Sequence, residues 1–83
     1  MKIHLRYFAS VREAIGTGQE TVQTQAARVG QLRLELMGIS PQHAEALALQ
    51  KAVRAALNPV ACTEDAALSD GDEVAFFPPV TGG

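Results

Sequence analysis

Several classes of protein are excluded by what this sequence has little of. It contains one cysteine, which leaves no intramolecular disulfide and no cysteine-rich zinc site. Seven basic residues against nine acidic ones give a formal net charge of -2, so the basic footprint of nucleic-acid binding is missing and we expect no nucleic-acid partner. No apolar run approaches the roughly 18 residues of a membrane-spanning helix, so we expect no membrane partner.

The length of 83 residues permits one small domain. Such a domain buries about 60% of the surface of its unfolded chain, which allows one modest core but little room for a deep catalytic cleft. Met1–Arg6 carries charge and lacks the apolar core of a signal peptide, and a chain without disulfides suits a reducing compartment. We therefore predict a cytoplasmic domain with no deep active site of its own.

The N-terminal segment alternates apolar and polar residues from Lys2 to Ala9, as expected for a strand with one face in a core. Ser10, followed three residues later by Glu13, has the spacing of a helix capping box. A short helix should follow and end at Gly16. The residues expected to face the core are Ile3, Leu5, Tyr7, Val11, Ala14 and Ile15.

The middle of the chain predicts a strand and a main helix. The strand covers Gln19–Thr24, where β-branched residues are frequent although apolar ones are few. The helix has an apolar stripe at i, i+3 and i+7 and ends at Gly38. The stripe consists of Val29, Leu32 and Leu36. From Pro41 to Gln50 the sequence suits either a second helix, with Ser40-Pro41 at its start, or a loop.

The last third of the chain predicts three strands. Ala52–Leu57 and Val60–Thr63 flank the turn dipeptide Asn58-Pro59, which indicates a hairpin. After a tight turn at Asp70–Asp72, the segment Glu73–Phe77 forms the last strand. Strands that bracket one principal helix predict an α+β fold in which a mixed sheet packs on that helix.

The final six residues begin with two conformationally restricted prolines and end with two glycines that have no side chain. Pro78 and Pro79 favour an extended departure from the last strand, whereas Gly82 and Gly83 have no side chain. Such a tip fits a narrow channel in another protein and presents the terminal carboxylate there, although a frayed terminus is the alternative. We therefore divide the chain into a folded domain over residues 1–77 and an extended tail over residues 78–83.

Three stretches of sequence resemble a known family. Asp70–Gly83, which contains Phe-Phe-Pro-Pro-Val-Thr-Gly-Gly, is similar to the end of the molybdopterin synthase small subunit, the sulfur carrier of molybdenum-cofactor biosynthesis. Tyr7-Phe8-Ala9 with Val11-Arg12-Glu13 resembles the first strand and helix of that family, and Ala56-Leu57-Asn58 resembles its mid-chain strand. The resemblance implies the ubiquitin-like β-grasp fold, which agrees with the predicted order of elements.

The resemblance also implies that Gly83 carries sulfur. A ubiquitin-activating-enzyme-like adenylyltransferase would use ATP to turn its carboxylate into an acyl-adenylate, and a sulfur-donating enzyme would supply the sulfur of a thiocarboxylate. The large synthase subunit would accept the tail and pass the sulfur to cyclic pyranopterin monophosphate, while Gly82 keeps the approach to the acyl carbon open. The chain itself would bind no cofactor and would be inert alone, and the family implies a heterotetramer of two small and two large subunits.

Two aromatic residues have the parity opposite to the core residues of their strands. Phe8 and Phe77 are therefore expected outside the core, near the tail, where they contribute to a partner-binding surface; alternatively, their rings cap the edge of the core. The partner-binding residues expected in the tail are Pro78, Pro79, Val80 and Thr81. The resemblance places apolar contacts with the large subunit on this face, and Ala61 is smaller than the residue expected there.

The remaining candidates favour structural roles. Cys62 lies on a predicted strand, where a lone cysteine is more often a small buried hydrophobe than a persulfide site. His4 and His43 lack metal-ligand spacing and are expected at the surface. Five of the nine acids follow Arg54, and they either steer docking or, as for Asp70 and Asp72, belong to solvated turns.

Two other functions are compatible with the sequence. The related sulfur carrier of thiamine synthesis shares the fold and the Gly-Gly end, but usually lacks the Phe-Phe-Pro-Pro run. A ubiquitin-like modifier, or a binding module that acts without covalent chemistry, belongs to a different class and would use the tail for conjugation to lysine or not at all.

Overall fold

The computed structural model describes residues 1–79, so Val80, Thr81, Gly82 and Gly83 of the predicted functional tail lie outside the described residues. In chain order, the elements are β1 (Lys2–Tyr7), α1 (Ala9–Ile15), β2 (Gln19–Gln23), α2 (Val29–Met37), α3 (Pro41–Ala46), β3 (Arg54–Leu57), β4 (Val60–Cys62) and β5 (Glu73–Phe77). Within residues 1–79, no helix has both the length and the apolar character needed to cross a membrane.

The strands form one mixed sheet in the order β2-β1-β5-β3-β4. β1 and β5 run parallel, whereas the other three neighbouring pairs are antiparallel. The last strand of the chain is therefore the central strand of the sheet. This architecture confirms the predicted α+β fold, a β-grasp sheet packed on one main helix.

Alternation along the strands decides which face of the sheet is buried. Ile3, Leu5 and Tyr7 of β1, together with Val74 and Phe76 of β5, are at most 1% exposed. They form one hydrophobic core with the apolar stripe of α2. The stripe consists of Val29, Leu32 and Leu36. The predicted period of two in β1 and the predicted helical period in α2 are both confirmed.

The start of α1 differs from the prediction. β1 ends at Tyr7 rather than Ala9, and Phe8 is the extended residue that precedes the helix. Ala9 adopts a positive φ of 50°, which turns the chain directly into α1 and places Ser10 inside the first turn. No side chain makes a capping hydrogen bond at this end, so the predicted capping box is wrong.

The open choice between helix and loop after Gly38 is settled in favour of a helix. The Ser40 side chain accepts a hydrogen bond from the His43 backbone N–H, and Pro41 occupies the first turn of α3. The hairpin of β3 and β4 is also confirmed, and its turn holds Asn58 at a φ of 53°. Asparagine tolerates this left-handed conformation better than most residues do.

Candidate functional site

The tail leaves the domain from the central strand of the sheet. β5 pairs with β1 on one side and β3 on the other, and it ends at Phe77, which lies opposite Arg54 of β3. Just beyond β1, the backbone N–H of Phe8 donates a hydrogen bond of 3.2 Å to the carbonyl oxygen of Phe76. The tail root, defined here as Phe77, Pro78 and Pro79, is thus anchored from both neighbouring strands.

Phe8 and Phe77 both lie outside the hydrophobic core. Phe8 is 45% exposed, and Phe77 is partly buried one residue beyond the deeply buried Phe76. The guanidinium carbon of Arg6 lies 5.8 Å from the centre of the Phe8 ring, a distance that suits a cation–π contact. Phe77 ends β5 and Phe8 lies just beyond the end of the adjacent strand β1, both outside the core. Their role in partner binding stays a prediction.

Two hollows border the tail root. The first, of about 190 Å³, lies between α1 and the segment that leads into β3, and Val11, Val53, Pro78 and Pro79 line it. The second, of about 330 Å³, lies on the other side of Pro79. We call it the Ala61 hollow. Its lining residues are Arg54, Ala55, Ala61, Cys62, Phe77 and Pro79. Pro79 therefore separates two depressions in which side chains of a partner can be seated.

The small side chain of Ala61 explains the second hollow. Ala61 is exposed and lies opposite Ala56 of β3, which in turn lies opposite Ala75 of β5. Three alanines in one cross-strand row leave this part of the sheet face flat beside Phe77. The absence of a large apolar anchor at position 61, noted from the sequence, therefore produces a depression rather than a knob.

Arg33 is a structurally important residue that sequence reasoning missed. It is 5% exposed, and its guanidinium donates hydrogen bonds of 2.8 Å to the backbone carbonyl oxygens of Leu47 and Ala48. It also pairs with Glu64 at 3.1 Å. These contacts fix the segment after α3, which borders the first hollow. The sequence does contain a signal for the burial of Arg33, because this residue lies four positions after Val29 and so falls on the buried face of α2.

The expectation that His43 lies at the surface is wrong. His43 is 8% exposed, with Nε2 at 2.6 Å from a Glu20 carboxylate oxygen and Nδ1 at 2.7 Å from the Ser40 hydroxyl. The Tyr7 hydroxyl donates a 2.7 Å hydrogen bond to the same oxygen of Glu20. Burial and this carboxylate raise the pKa of Tyr7 well above its usual value. The network ties β1, β2 and α3 together, so its role is structural.

The acidic turn residues also have structural roles. Asp70 accepts a 2.6 Å hydrogen bond from the Lys2 backbone N–H, and Asp72 accepts bonds from the Ser69 backbone and the Asn58 side chain. These contacts lie at the start of β5, at the opposite end of the strand from the tail. The interpretation of both residues as part of turns is confirmed.

Cys62 and His4 fit their expected surroundings. Cys62 is partly buried against the core, and this burial raises the pKa of its thiol. His4 is exposed and lies 3.1 Å from the Thr21 hydroxyl. In the part of the chain described, no group of three or more histidine, cysteine, aspartate and glutamate side chains is arranged to hold a metal ion.

Comparison with known proteins covers nearly the whole chain. Residues 5–83 match the ThiS family. A protein from Escherichia coli (strain K12) named molybdopterin synthase sulfur carrier subunit is 44% identical over 81 residues, which cover 98% of this chain and 99% of the relative. The resemblance drawn from the tail and the first strand is therefore confirmed.

Solved structures with the same fold include the following two. SAMP1, a small archaeal modifier protein from Haloferax volcanii, has a TM-score of 0.80 and 28% identity, with 100% of both chains covered. A chain from the complex of subunits 1 and 2 of the molybdopterin-converting factor of Helicobacter pylori 26695 has a TM-score of 0.69 and 25% identity, again over 100% of both chains.

Proposed function

Because this chain belongs to the ThiS family, we propose that it is a sulfur carrier for molybdopterin synthesis and that the terminal carboxylate of Gly83 is the group that carries sulfur. The observation that carries this proposal is the sequence Phe-Phe-Pro-Pro-Val-Thr-Gly-Gly, which begins on the central strand of the sheet and ends on two glycines. A strand paired on both sides supplies a firm base from which a partner can receive the chain end.

The chemistry follows from the weakness of a carboxylate as an electrophile. An adenylyltransferase partner first joins the Gly83 carboxylate to the AMP portion of ATP, with release of pyrophosphate, so that AMP becomes a leaving group. A hydrosulfide-equivalent sulfur from a donor enzyme then attacks the acyl carbon and expels AMP. The resulting thiocarboxylate bears a soft, ionised sulfur that is a good nucleophile. Gly82 and Gly83 leave the acyl carbon accessible because neither has a side chain.

The partner that uses the sulfur is, in this proposal, the large subunit of molybdopterin synthase. Support comes from the similarity to a chain of the Helicobacter pylori complex of subunits 1 and 2. The large subunit supplies the acid–base groups, and the sulfur passes to cyclic pyranopterin monophosphate. A dithiolene contains two sulfur atoms and each Gly83 thiocarboxylate carries one, so two transfers build one molybdopterin, and water returns Gly83 to the carboxylate after each. We further propose a heterotetramer of two small and two large subunits in the cytoplasm, with no cofactor bound to this chain.

The test is an intact-mass measurement on the purified chain incubated with its activating enzyme, ATP and a sulfur source. Replacement of one oxygen by sulfur adds about 16 Da. A chain that lacks Gly82 and Gly83 should keep its affinity for the large subunit but gain no mass and yield no molybdopterin. Molybdopterin formation by that shortened chain would refute the role of the tail.

Three observations bear on the alternatives. The Phe-Phe-Pro-Pro run and the curated relative both favour molybdopterin over thiamine synthesis. The similarity to SAMP1 favours a second candidate function, that of a protein modifier joined to lysine through Gly83. The same reaction mixture, supplemented with a cell extract, distinguishes them, because a modifier forms isopeptide-linked conjugates whereas a carrier remains a free chain.

A further inference from the structure

We propose that the Ala61 hollow receives one apolar side chain of the large synthase subunit, and that a carboxylate of that subunit pairs with Arg54 at the rim. This inference rests on the proposed function, since it takes the large subunit as the partner. It identifies a contact between the two subunits that is separate from the insertion of the C-terminal tail into the large subunit. It also assigns specificity to a residue, Ala61, whose side chain is too small to make a strong contact itself.

The geometry gives the hollow a defined shape. One side of the hollow is formed by the edge strand β4, with Ala61 and Cys62. The other side is formed by the tail root, with Phe77 and Pro79, and Arg54 of β3 lies between the two sides. Its volume of about 330 Å³ is left open on the surface by the described chain. An apolar side chain seated there would contact the Phe77 ring and the Pro79 ring together, and would remove apolar surface from water.

The positive charge of Arg54 at the rim indicates which side chains of a partner would fit beside the hollow. Arg54 is exposed, and among residues 1–79 no carboxylate lies within ion-pair distance of its guanidinium, although Arg6 and Arg33 each have an acidic neighbour. A guanidinium next to an apolar depression suits a partner patch that combines a carboxylate with a large apolar residue. Complementary charge of this kind governs partner choice and the rate of encounter more than affinity alone.

Continuity with the tail identifies the partner. Phe77 and Pro79 line the hollow, and they are the residues through which the chain leads towards Gly83. A protein that accepts the tail must therefore cover the adjoining surface, and its binding should depend on how well the hollow is filled. The activating enzyme also accepts the tail, so it is the competing occupant that the experiment must separate from the large subunit.

The experiment compares the affinity of the large subunit, titrated against the full-length chain and its variants. Ala61→Leu fills the hollow from within and should weaken binding about tenfold, because the seated side chain is displaced. Val60→Leu is the matched control on the same strand; its side chain is 71% exposed and has the opposite parity, so binding should change less than about twofold. Arg54→Gln should weaken binding at low salt and reduce its salt dependence.

The outcomes separate this inference from the proposed function. Equal or tighter binding of Ala61→Leu overturns the inference, since the hollow would then be unfilled in the complex. It is also overturned if the variant loses affinity only for the activating enzyme. Failure of the wild-type chain to bind the large subunit or to gain sulfur refutes the proposed function instead. Thermal unfolding of each variant shows whether the fold is kept, and the Arg54→Gln result tests the charge at the same site without placing a larger side chain in the hollow.

Discussion

The Nε atom of Arg33 donates a 2.8 Å hydrogen bond to the backbone carbonyl oxygen of Leu47, in a region closed to water. A side chain on the main helix therefore holds a segment that follows the next helix. The guanidinium also bonds the carbonyl oxygens of Ala48 and Lys51, so one residue satisfies three backbone acceptors. An arginine suits this position because its five donors have a fixed planar geometry.

Arg33→Met should destabilise the fold by about 3 kcal/mol, because it leaves buried carbonyl oxygens without donors. Chemical denaturation monitored by circular dichroism measures this loss. Glu64→Gln is the matched control, since Glu64 is half exposed and its ion pair with Arg33 should contribute less than about 1 kcal/mol. Equal losses for the two variants would mean that the ion pair, rather than the bonds to the backbone, stabilises this segment.

Gly30→Ala should also destabilise the fold, by about 1 kcal/mol, although alanine is the better helix former. A Cβ on Gly30 would lie 3.1 Å from the Glu64 Cβ and 3.3 Å from its backbone oxygen, and that oxygen already accepts a hydrogen bond from the Gly30 N–H. Gly38→Ala is the control, because its nearest neighbour is an ordinary 3.4 Å away and its φ is -85°. Unfolding curves of both variants test this difference, and a more stable Gly30→Ala variant would contradict it.

The regular elements were predictable because their signals are local. The alternation in β1 and the stripe of α2 each lie within a few residues, and the structure buries the side chains that those patterns select. The burial of His43 was not predictable in the same way. The His43 side chain contacts the carboxylate of Glu20, which is 23 residues away in the sequence, and a local sequence pattern does not reveal a partner at that separation.

The candidate site also has one part that follows from local sequence and one part that depends on long-range contacts. The tail could be proposed as a site from Gly82, Gly83 and the two prolines, because the backbone properties of glycine and proline follow from the residue type alone, and its role stays a prediction. The Ala61 hollow could not, because it arises from the register between β3, β4 and β5. That register brings the small side chain of Ala61 beside the tail root, and it becomes visible only when the sheet is assembled.

Tyr7 should remain un-ionised in the folded protein at pH 11. Burial, followed by the hydrogen bond to the Glu20 carboxylate, raises its pKa, whereas a tyrosine in the unfolded chain titrates near a pKa of about 10. The folded state thus prefers the neutral phenol. The stability that this preference gives to the folded protein is complete below about pH 10. Above that pH the unfolded chain loses the proton first, so stability falls by at most about 1.4 kcal/mol per pH unit.

Absorbance at the phenolate wavelength measures Tyr7 alone, because the chain has one tyrosine and no tryptophan. The signal should rise together with unfolding, not before it. Tyr7→Phe is the control that isolates the contribution of this hydroxyl to the pH dependence of stability. A phenolate signal at pH 10 in a protein that is still folded would contradict the assigned environment.

Cys62 should be a poor nucleophile in the folded chain. Burial raises the pKa of its thiol, so less thiolate is present at pH 8 than for an exposed cysteine. Alkylation by iodoacetamide should therefore be several times slower in the native protein than in denaturant, and should speed up as the pH rises. Cys62→Ser should gain sulfur at Gly83 as the wild type does, and loss of that mass gain would give the thiol a part in the chemistry.

Phe8→Asp should weaken the complex with the large subunit about tenfold while the fold is kept within about 1 kcal/mol. Phe8 is 45% exposed and outside the core, and its backbone N–H bonds the carbonyl oxygen of Phe76 in the strand that leads to the tail. Phe8→Leu keeps an apolar side chain and should retain most of the affinity. Phe76→Ala is the opposite case, because Phe76 is 1% exposed and its truncation should cost about 3–5 kcal/mol of stability. If Phe8→Asp unfolds the protein as Phe76→Ala does, the ring belongs to the core and the partner surface must lie elsewhere.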